Sequence, residues 1–271
     1  MRQILELINF FRPSQVMDWK KVSPIHPKNR GIPTPKGTFE SSCGSCQVCV
    51  DHCPTAAIQK VSNERLVFDY GACLQCGSCS LFCPEERLKD SGFVHVFSKH
   101  RDDLIVAYEN GKMLLKVSGE DHSNHLEFTK LTERSGFLYR EVAAAGNNTV
   151  ECELNASFNS VFDSEREGVR CVASPKHADA IVFSGPVSQA MEQPLETAFA
   201  VIAPPKALVA CGTEAVSGGL FPQGKLPKEP DLFIAGDPPR PDVILLAFRH
   251  LMGRFSFSFQ EALHKFLQSG K

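Results

Sequence analysis

Two cysteine runs of identical spacing limit this chain more than any other feature. Cys43-x-x-Cys46-x-x-Cys49-x-x-x-Cys53-Pro54 is followed by Cys73-x-x-Cys76-x-x-Cys79-x-x-x-Cys83-Pro84. This is the spacing of bacterial [4Fe–4S] sites, in which the fourth cysteine serves the other cluster. The reason is geometric: three thiolates on a tight loop reach three irons of one cube, and the fourth, on a helical turn beyond, points toward the neighbouring cube. The expected sets are therefore Cys43, Cys46, Cys49 and Cys83 for one cluster, and Cys73, Cys76, Cys79 and Cys53 for the other. Soft thiolates suit iron–sulfur cubes, and Gly44, Gly77 and small serines let backbone N–H groups approach the sulfides. A pair of zinc knots is the competing reading, since C-x-x-C pairs also bind Zn²⁺. Zinc requires neither the Cys-Pro ending nor the doubled run.

The remaining composition sets the context. Eleven cysteines, an odd number with eight of them crowded together, argue against a secreted disulfide scaffold. A reducing cytosol is the setting expected for thiolates awaiting iron. The 29 Lys and Arg against 31 Asp and Glu leave a net charge of −2, which gives no general pull toward nucleic acid or an anionic membrane. At 42% hydrophobic and 22% charged residues, the chain is expected to build a real core. The opening residues do not read as a secretory signal, because Glu6 and Asn9 interrupt the apolar run. No run of ~18 apolar residues is present to span a bilayer.

Residues 1–12 read as a short amphipathic helix, with Ile4, Leu5, Leu7, Ile8 and Phe11 on one face and Pro13 as its stop. Packing against the chain or a partner subunit explains that face better than a membrane anchor, for which Arg2 and Arg12 are the only nearby cations. Four prolines and two glycines over residues 22–38 forbid regular structure and predict an extended connector. Asn110-Gly111, between the apolar runs of residues 104–108 and 113–117, predicts a hairpin. The polar stretch 118–134 reads as a boundary. Beyond it, strands are expected at Phe137–Val142, Val169–Ala173, Ala180–Phe183, Ala207–Ala210 and Leu232–Ile234. Helices are expected at Gln189–Val201, at Pro241–Met252 ending on Gly253, and within residues 254–271. Apolar strands alternating with helices indicate a mostly parallel, doubly wound sheet.

The cysteine segment resembles the two-cluster ferredoxin subunit of NADH:quinone oxidoreductase (complex I) and of membrane-bound [NiFe] hydrogenases. The Pro-rich stretch with Asn29-Arg30-Gly31 is similar to the arm those subunits carry. Residues from about 136 to 253 resemble the small subunit of [NiFe] hydrogenases and its counterpart in complex I. The matching blocks are Cys152-Glu153-Leu154, residues 162–170, residues 173–179, Ser184-Gly185-Pro186-Val187, residues 212–219 and Gly236-Asp237-Pro238-Pro239-Arg240-Pro241. The chain thus resembles a fusion of two such subunits. The expected fold is an α+β ferredoxin-like 2[4Fe–4S] domain followed by an α/β doubly wound, flavodoxin-like domain. The expected boundaries are 1–37 for the N-terminal helix and arm, 38–92 for the ferredoxin domain, 93–135 for a hairpin linker and 136–271 for the α/β domain.

In the resembled family the α/β blocks hold one more [4Fe–4S] cluster, through C-x-x-C, G-x-C-A and G-C-P-P-R-P. Here Cys152 stands as the one surviving cysteine, Thr149 takes its partner's place, and Glu214 and Asp237 replace the other two. Oxygen donors are poor substitutes for thiolate on a cube, so the third cluster is expected to be lost. The four positions should still share a pocket at the carboxyl edge of the sheet, where open α/β sheets place their sites. Glu214 and Asp237 could bind a hard cation, handle protons as a pair, or simply pair with Arg240, Arg170 or water in a pocket that no longer does chemistry; the last is favoured. Cys171 and Cys211 are expected as small buried residues, and His122 and His125 as surface polars. No nucleotide-binding glycine motif appears, and no nucleophilic triad.

The resemblance implies an electron-transfer subunit, not a catalytic one, of a complex I-like or group 4 hydrogenase-related complex. Its cofactors would be two [4Fe–4S] clusters. The implied partners are a large subunit of hydrogenase or complex I type, membrane subunits and a soluble ferredoxin-type donor, at the cytoplasmic face of the cell membrane. The alternative is a docking subunit whose α/β domain is a redox-inactive scaffold in a complex without hydrogenase or quinone function.

Overall fold

The computed structural model describes residues 20, 29–37, 43, 45–116 and 126–269. The helix expected over residues 1–12, residues 22–28 of the arm, Gly44, His122 and His125 lie outside the described residues.

The described part of the arm corrects one expectation. Pro33–Pro35 forms a strand (β1) paired antiparallel with Leu88–Asp90 (β4), with Pro33 opposite Asp90 and Pro35 opposite Leu88. Proline removes a donor, but an edge ribbon needs only some of its N–H groups. The flanking residues supply them: Ile32 N–H donates to Phe93 O at 2.8 Å and Lys36 N–H to Arg87 O at 2.7 Å.

A second, four-stranded antiparallel sheet takes Ile58–Lys60 (β2), Arg65–Asp69 (β3), Ile105–Glu109 (β6) and Lys112–Leu114 (β7) in that order. The hairpin between β6 and β7 turns at Asn110 and Gly111, both at positive φ (48° and 75°), as a tight two-residue turn requires. Two single-turn helices, Val48–Asp51 (α1) and Ser78–Leu81 (α2), sit against this region.

The third sheet has six strands. Phe137–Ala143 (β8), Val169–Cys171 (β9), Ala180–Ser184 (β10), Ala207–Cys211 (β11) and Leu232–Ile234 (β12) run parallel in the order β12-β11-β10-β8-β9. Phe97–Ser98 (β5) adds an antiparallel edge beside β12. All five expected strands are present to within two residues. The helices are Leu126–Ser135 (α3), Thr149–Ala156 (α4), Gln189–Ala200 (α5), Thr213–Ser217 (α6), Pro241–Leu251 (α7) and Phe259–Gln268 (α8). The continuous apolar runs of β10, β11 and α7 follow from burial: every residue of both strands, and Pro241 through Phe248 of the helix, is buried. Helix α3 corrects the reading of 118–134 as a plain boundary. It was obscured because only Phe128 and Thr132 of its ten residues are buried, too narrow a stripe to show as helical periodicity.

The three sheets share cores. Residues 93–135, expected as a linker, give β5 to the six-stranded sheet and the β6–β7 hairpin to the four-stranded one. One apolar cluster runs from Phe68, Tyr70 and Tyr108 through Phe93 to Phe183, Leu208 and Phe259, so it joins the cysteine-bearing part to one face of the parallel sheet. The other face packs beneath α7.

Candidate metal centre

The two cysteine runs fold as copies of one another. Cys49 lies on α1 and Cys79 on α2, and Cys53 and Cys83 fall two residues past those helices. The third cysteine of each run thus rides the helical turn, one position earlier in the motif than expected, and the fourth follows it. Ala56 and Glu86, three residues after each fourth cysteine, both take positive φ (51° and 49°). The residue after that turns its N–H back to the sulfur: Ala57 N–H donates to Cys53 Sγ and Arg87 N–H to Cys83 Sγ, each at 3.2 Å.

The thiols sort into two hollows. Cys43, Cys46, Cys49 and Cys83 line one, with Lys60, Leu66 and Arg87. Cys53, Cys73, Cys76 and Cys79 line the other, with Phe68, Tyr70 and Ala57. Burial, then the neighbouring thiols, pushes Cys49 up to about 11, with Cys83 the largest influence among the thiols. Burial likewise pushes Cys73 and Cys79 up to about 12, and Cys53 acts on both. Such thiols resist ionising until a cation sits among them, which is the role iron plays in a cluster. Among the described residues no three His, Cys, Asp or Glu side chains converge on a point that could hold a single metal ion. Four thiols stand around each hollow, the soft donor set that a [4Fe–4S] cube requires.

Two cations outside the cysteine runs fix the loops. Lys60 Nζ donates to Cys43 O at 2.9 Å and Cys46 O at 3.1 Å. Arg30, on the arm, donates to Cys76 O at 2.6 Å. Gln75 N–H reaches Cys73 Sγ at 3.4 Å.

A second group of candidate residues lies at the carboxyl edge of the parallel sheet. Glu214 is the second residue of α6 and Asp237 follows β12. The two are close enough that Asp237, after burial, holds the Glu214 carboxyl above its ordinary range, while the Asn147 N–H donates to it and opposes the rise. Glu151 of α4 is a further negative neighbour. Thr149 Oγ1 donates to Asn147 Oδ1 at 2.6 Å, and Cys152 is exposed, with Asn148 Nδ2 3.9 Å from its sulfur. Glu214 and Asp237 are thus brought together, whereas Cys152 faces solvent. Arg240 Nε meets Asp242 at 3.0 Å and Arg170 Nε meets Glu165 at 3.9 Å. Cys211 is buried, as expected, and burial with Glu141 and Glu151 pushes its thiol up. Cys171 is exposed, against expectation, because it ends β9 at the open edge of the sheet.

Comparison with known proteins matches both regions. Residues 42–88 match the 4Fe-4S dicluster domain, and residues 147–251 match the family described as NADH ubiquinone oxidoreductase, 20 Kd subunit. An NADH-quinone oxidoreductase subunit of Geotalea daltonii is 32% identical over 120 residues, 41% of this chain and 71% of the relative. The chain belongs to this oxidoreductase subunit family. Two hydrogen-metabolising relatives match it as well. Formate hydrogenlyase subunit 7 of Escherichia coli is 36% identical over 131 residues, 46% of this chain and 51% of that protein. The probable membrane-bound hydrogenase subunit mbhJ of Pyrococcus furiosus is 29% identical over 126 residues, 44% of this chain and 75% of the relative. The chain spans about half the length of the formate hydrogenlyase subunit.

The part that carries the family match touches the dicluster part at Thr213, inside one of the matching blocks but with nothing there to mark this contact. Thr213, fully buried, donates its hydroxyl to Cys73 O at 3.1 Å, 140 positions away, and accepts from Gly236 N–H at 3.0 Å. A threonine just past the end of a strand carries no sign of so distant a partner. Lys60 was unmarked, and Arg30 stood out only as part of the Asn29-Arg30-Gly31 arm, because both make their contacts to backbone carbonyls.

Proposed function

We propose that this chain is an electron-transfer subunit of a membrane-associated oxidoreductase complex related to complex I and group 4 [NiFe] hydrogenases, relaying electrons through two [4Fe–4S] clusters. The sorting of the thiols carries the reading: each hollow takes three cysteines of one run and the fourth of the other. Cys43, Cys46, Cys49 and Cys83 would hold one cluster, and Cys73, Cys76, Cys79 and Cys53 the other. A cluster bound there supplies one-electron chemistry at a potential set by burial and by hydrogen bonds to sulfur. The chain supplies those hydrogen bonds from Ala57, Gln75 and Arg87, and it seats the loops with Lys60 and Arg30.

The back pocket supports a lost third cluster. Glu214 and Asp237 offer oxygen where thiolate is needed, and Cys152 is turned to solvent. The strand order within β8–β12, 2-1-3-4-5 when those strands are counted alone, supports a flavodoxin-like reading of residues 136–271. Residues 38–92 are read as the ferredoxin-like domain, 1–37 as its arm and 93–135 as the connection. The relatives' names, each that of a numbered or lettered subunit, support partner subunits in a complex; a large subunit of hydrogenase or complex I type, membrane subunits and a ferredoxin-type donor are the partners this reading takes. Among the described residues no helix is long and apolar enough to cross a membrane. Attachment to the cytoplasmic face would therefore come through those partners.

Anaerobic iron and acid-labile sulfide analysis, with EPR of the reduced protein, tests the proposal. The expected result is about eight irons and eight sulfides per chain. About twelve irons would restore a third cluster, and zinc in place of iron would overturn the relay altogether.

A further inference from the structure

The pocket beside Thr213 is crowded with carboxylates. The charged groups acting on Glu214 are Asp237, from the loop after β12, and Glu151, from α4; both are negative. Its other polar contact is the Asn147 N–H, and Gly146 and Gly219 pack against its side chain without charge. Glu151 in turn faces Glu141 of β8, where Arg140 supplies an opposing charge. Glu151 is 6% exposed; its Oε1 accepts from Ser184, while its Oε2 is buried and has no hydrogen-bond partner. Leaving such an oxygen unsatisfied costs about 1–3 kcal/mol. Like-charged carboxylates held together in a buried pocket relieve their repulsion when one of them takes up a proton.

The pocket is also tied to the second set of cysteines. Thr213, which precedes Glu214, holds the Cys73 carbonyl with its hydroxyl and exchanges two hydrogen bonds with Gly236, which precedes Asp237. The carboxylates and the Cys73 loop therefore stand on two sides of one buried residue.

We infer that Glu214, with Asp237 and Glu151, forms a proton-binding site coupled electrostatically to the set Cys53, Cys73, Cys76 and Cys79. The inference rests on the two-cluster relay proposed above. Each electron delivered to that set by a low-potential one-electron donor adds one negative charge near Glu214. The carboxyl then binds one solvent proton, forming an O–H bond, and oxidation returns electron and proton together. With the site protonated, one negative charge is gone from the pocket and electrons enter more easily. As pH rises through the site's pKa, the restored charge opposes them. The raised position of the Glu214 carboxyl brings that range closer to neutrality.

The test is a redox titration of the full chain, with dithionite as reductant, at pH values from 5 to 9, read by EPR. The midpoint potential of one signal is expected to be level at low pH and to fall above it. The fall is at most ~59 mV for each tenfold drop in proton concentration. Glu214→Gln should flatten the curve, and Asp237→Asn should move its bend to lower pH. Potentials level from pH 5 to 9 in the wild type, or a slope kept in Glu214→Gln, would overturn the inference. If circular dichroism shows Glu214→Gln misfolded, the bend in Asp237→Asn decides: an unmoved bend rejects the site. Infrared spectroscopy gives a readout independent of iron. A carboxylic C=O band that titrates in the wild type should be absent from Glu214→Gln, and a wild type without that band rejects the site. An iron count far from eight would defeat the relay, while the infrared titration would still report on the carboxylates.

Discussion

Replacing Cys83 with alanine is expected to damage the iron–sulfur site of the first cysteine run and spare that of its own. Cys83 lines the hollow of Cys43, Cys46 and Cys49, and it is the largest thiol influence on both Cys43 and Cys49. Cys53 is the largest thiol influence on Cys73 and acts on Cys79 after Cys73 itself. The copies are joined by their fourth cysteines, which follow α1 and α2 and are held by N–H groups four residues on. Double variants discriminate best, because groups that serve one site are not additive. Cys46→Ala with Cys83→Ala should lose about four of the eight irons, the content of one cube. Cys76→Ala with Cys83→Ala touches both sets and should lose more, approaching all eight. Iron analysis and the EPR of the reduced protein decide between this and uncrossed ligation, which predicts the opposite ranking.

Each hollow takes its fourth thiol from the other run, so neither run alone supplies a full set of four. The second set then adjoins the α/β part through Thr213 and Cys73 O. Beyond that contact the pocket offers the carboxylates around Glu214, while Cys152 is exposed. Thiols gather in the dicluster part and carboxylates in the pocket, so the two regions offer different chemistry.

How much of this was legible in the sequence depended on the range of the forces involved. The two cysteine runs stood out because their repeated spacing is a local feature. The parallel strands could be read because burial on both faces leaves unbroken apolar runs, as in Ala207–Cys211. Strand β1 could not, because its pairing depends on β4, more than fifty residues away, and its prolines argue locally against any strand. Helix α3 hid behind a two-residue stripe. In the back pocket, Glu214 and Asp237 showed themselves as substitutions within familiar blocks. Glu151 and Glu141 gave no such sign, since a carboxylate's burial is a tertiary fact.

The C-terminal helix yields the other large effect. Phe259 opens α8, is 1% exposed, and meets Tyr70 edge-on at 5.8 Å and Phe93 at 6.3 Å. Tyr70 donates to Pro33 O at 2.8 Å and pairs with the Tyr108 hydroxyl at 2.8 Å; it also lines the hollow of Cys73 and Cys79. Next to Phe259, the buried Gln260 donates to Asp103 O at 3.0 Å and Ile105 O at 3.3 Å, and accepts from Lys116 N–H at 2.8 Å. A helix at the far end of the chain thus closes the core under the cysteine-bearing sheet. Phe259→Ala removes a buried aromatic where the surrounding rings are held by other contacts and cannot collapse into the gap, so it should cost about 3–5 kcal/mol. For a chain of this size that lowers the melting temperature by roughly 10 °C. The thermal scan should be followed at two signals, the far-ultraviolet helix signal and the visible absorbance of the iron–sulfur sites. Both should move together in Phe259→Ala, because the helix and the hollow share one core. If the visible absorbance kept its wild-type midpoint while the helix signal shifted, α8 would belong to the parallel sheet alone, and the dicluster part would owe it nothing.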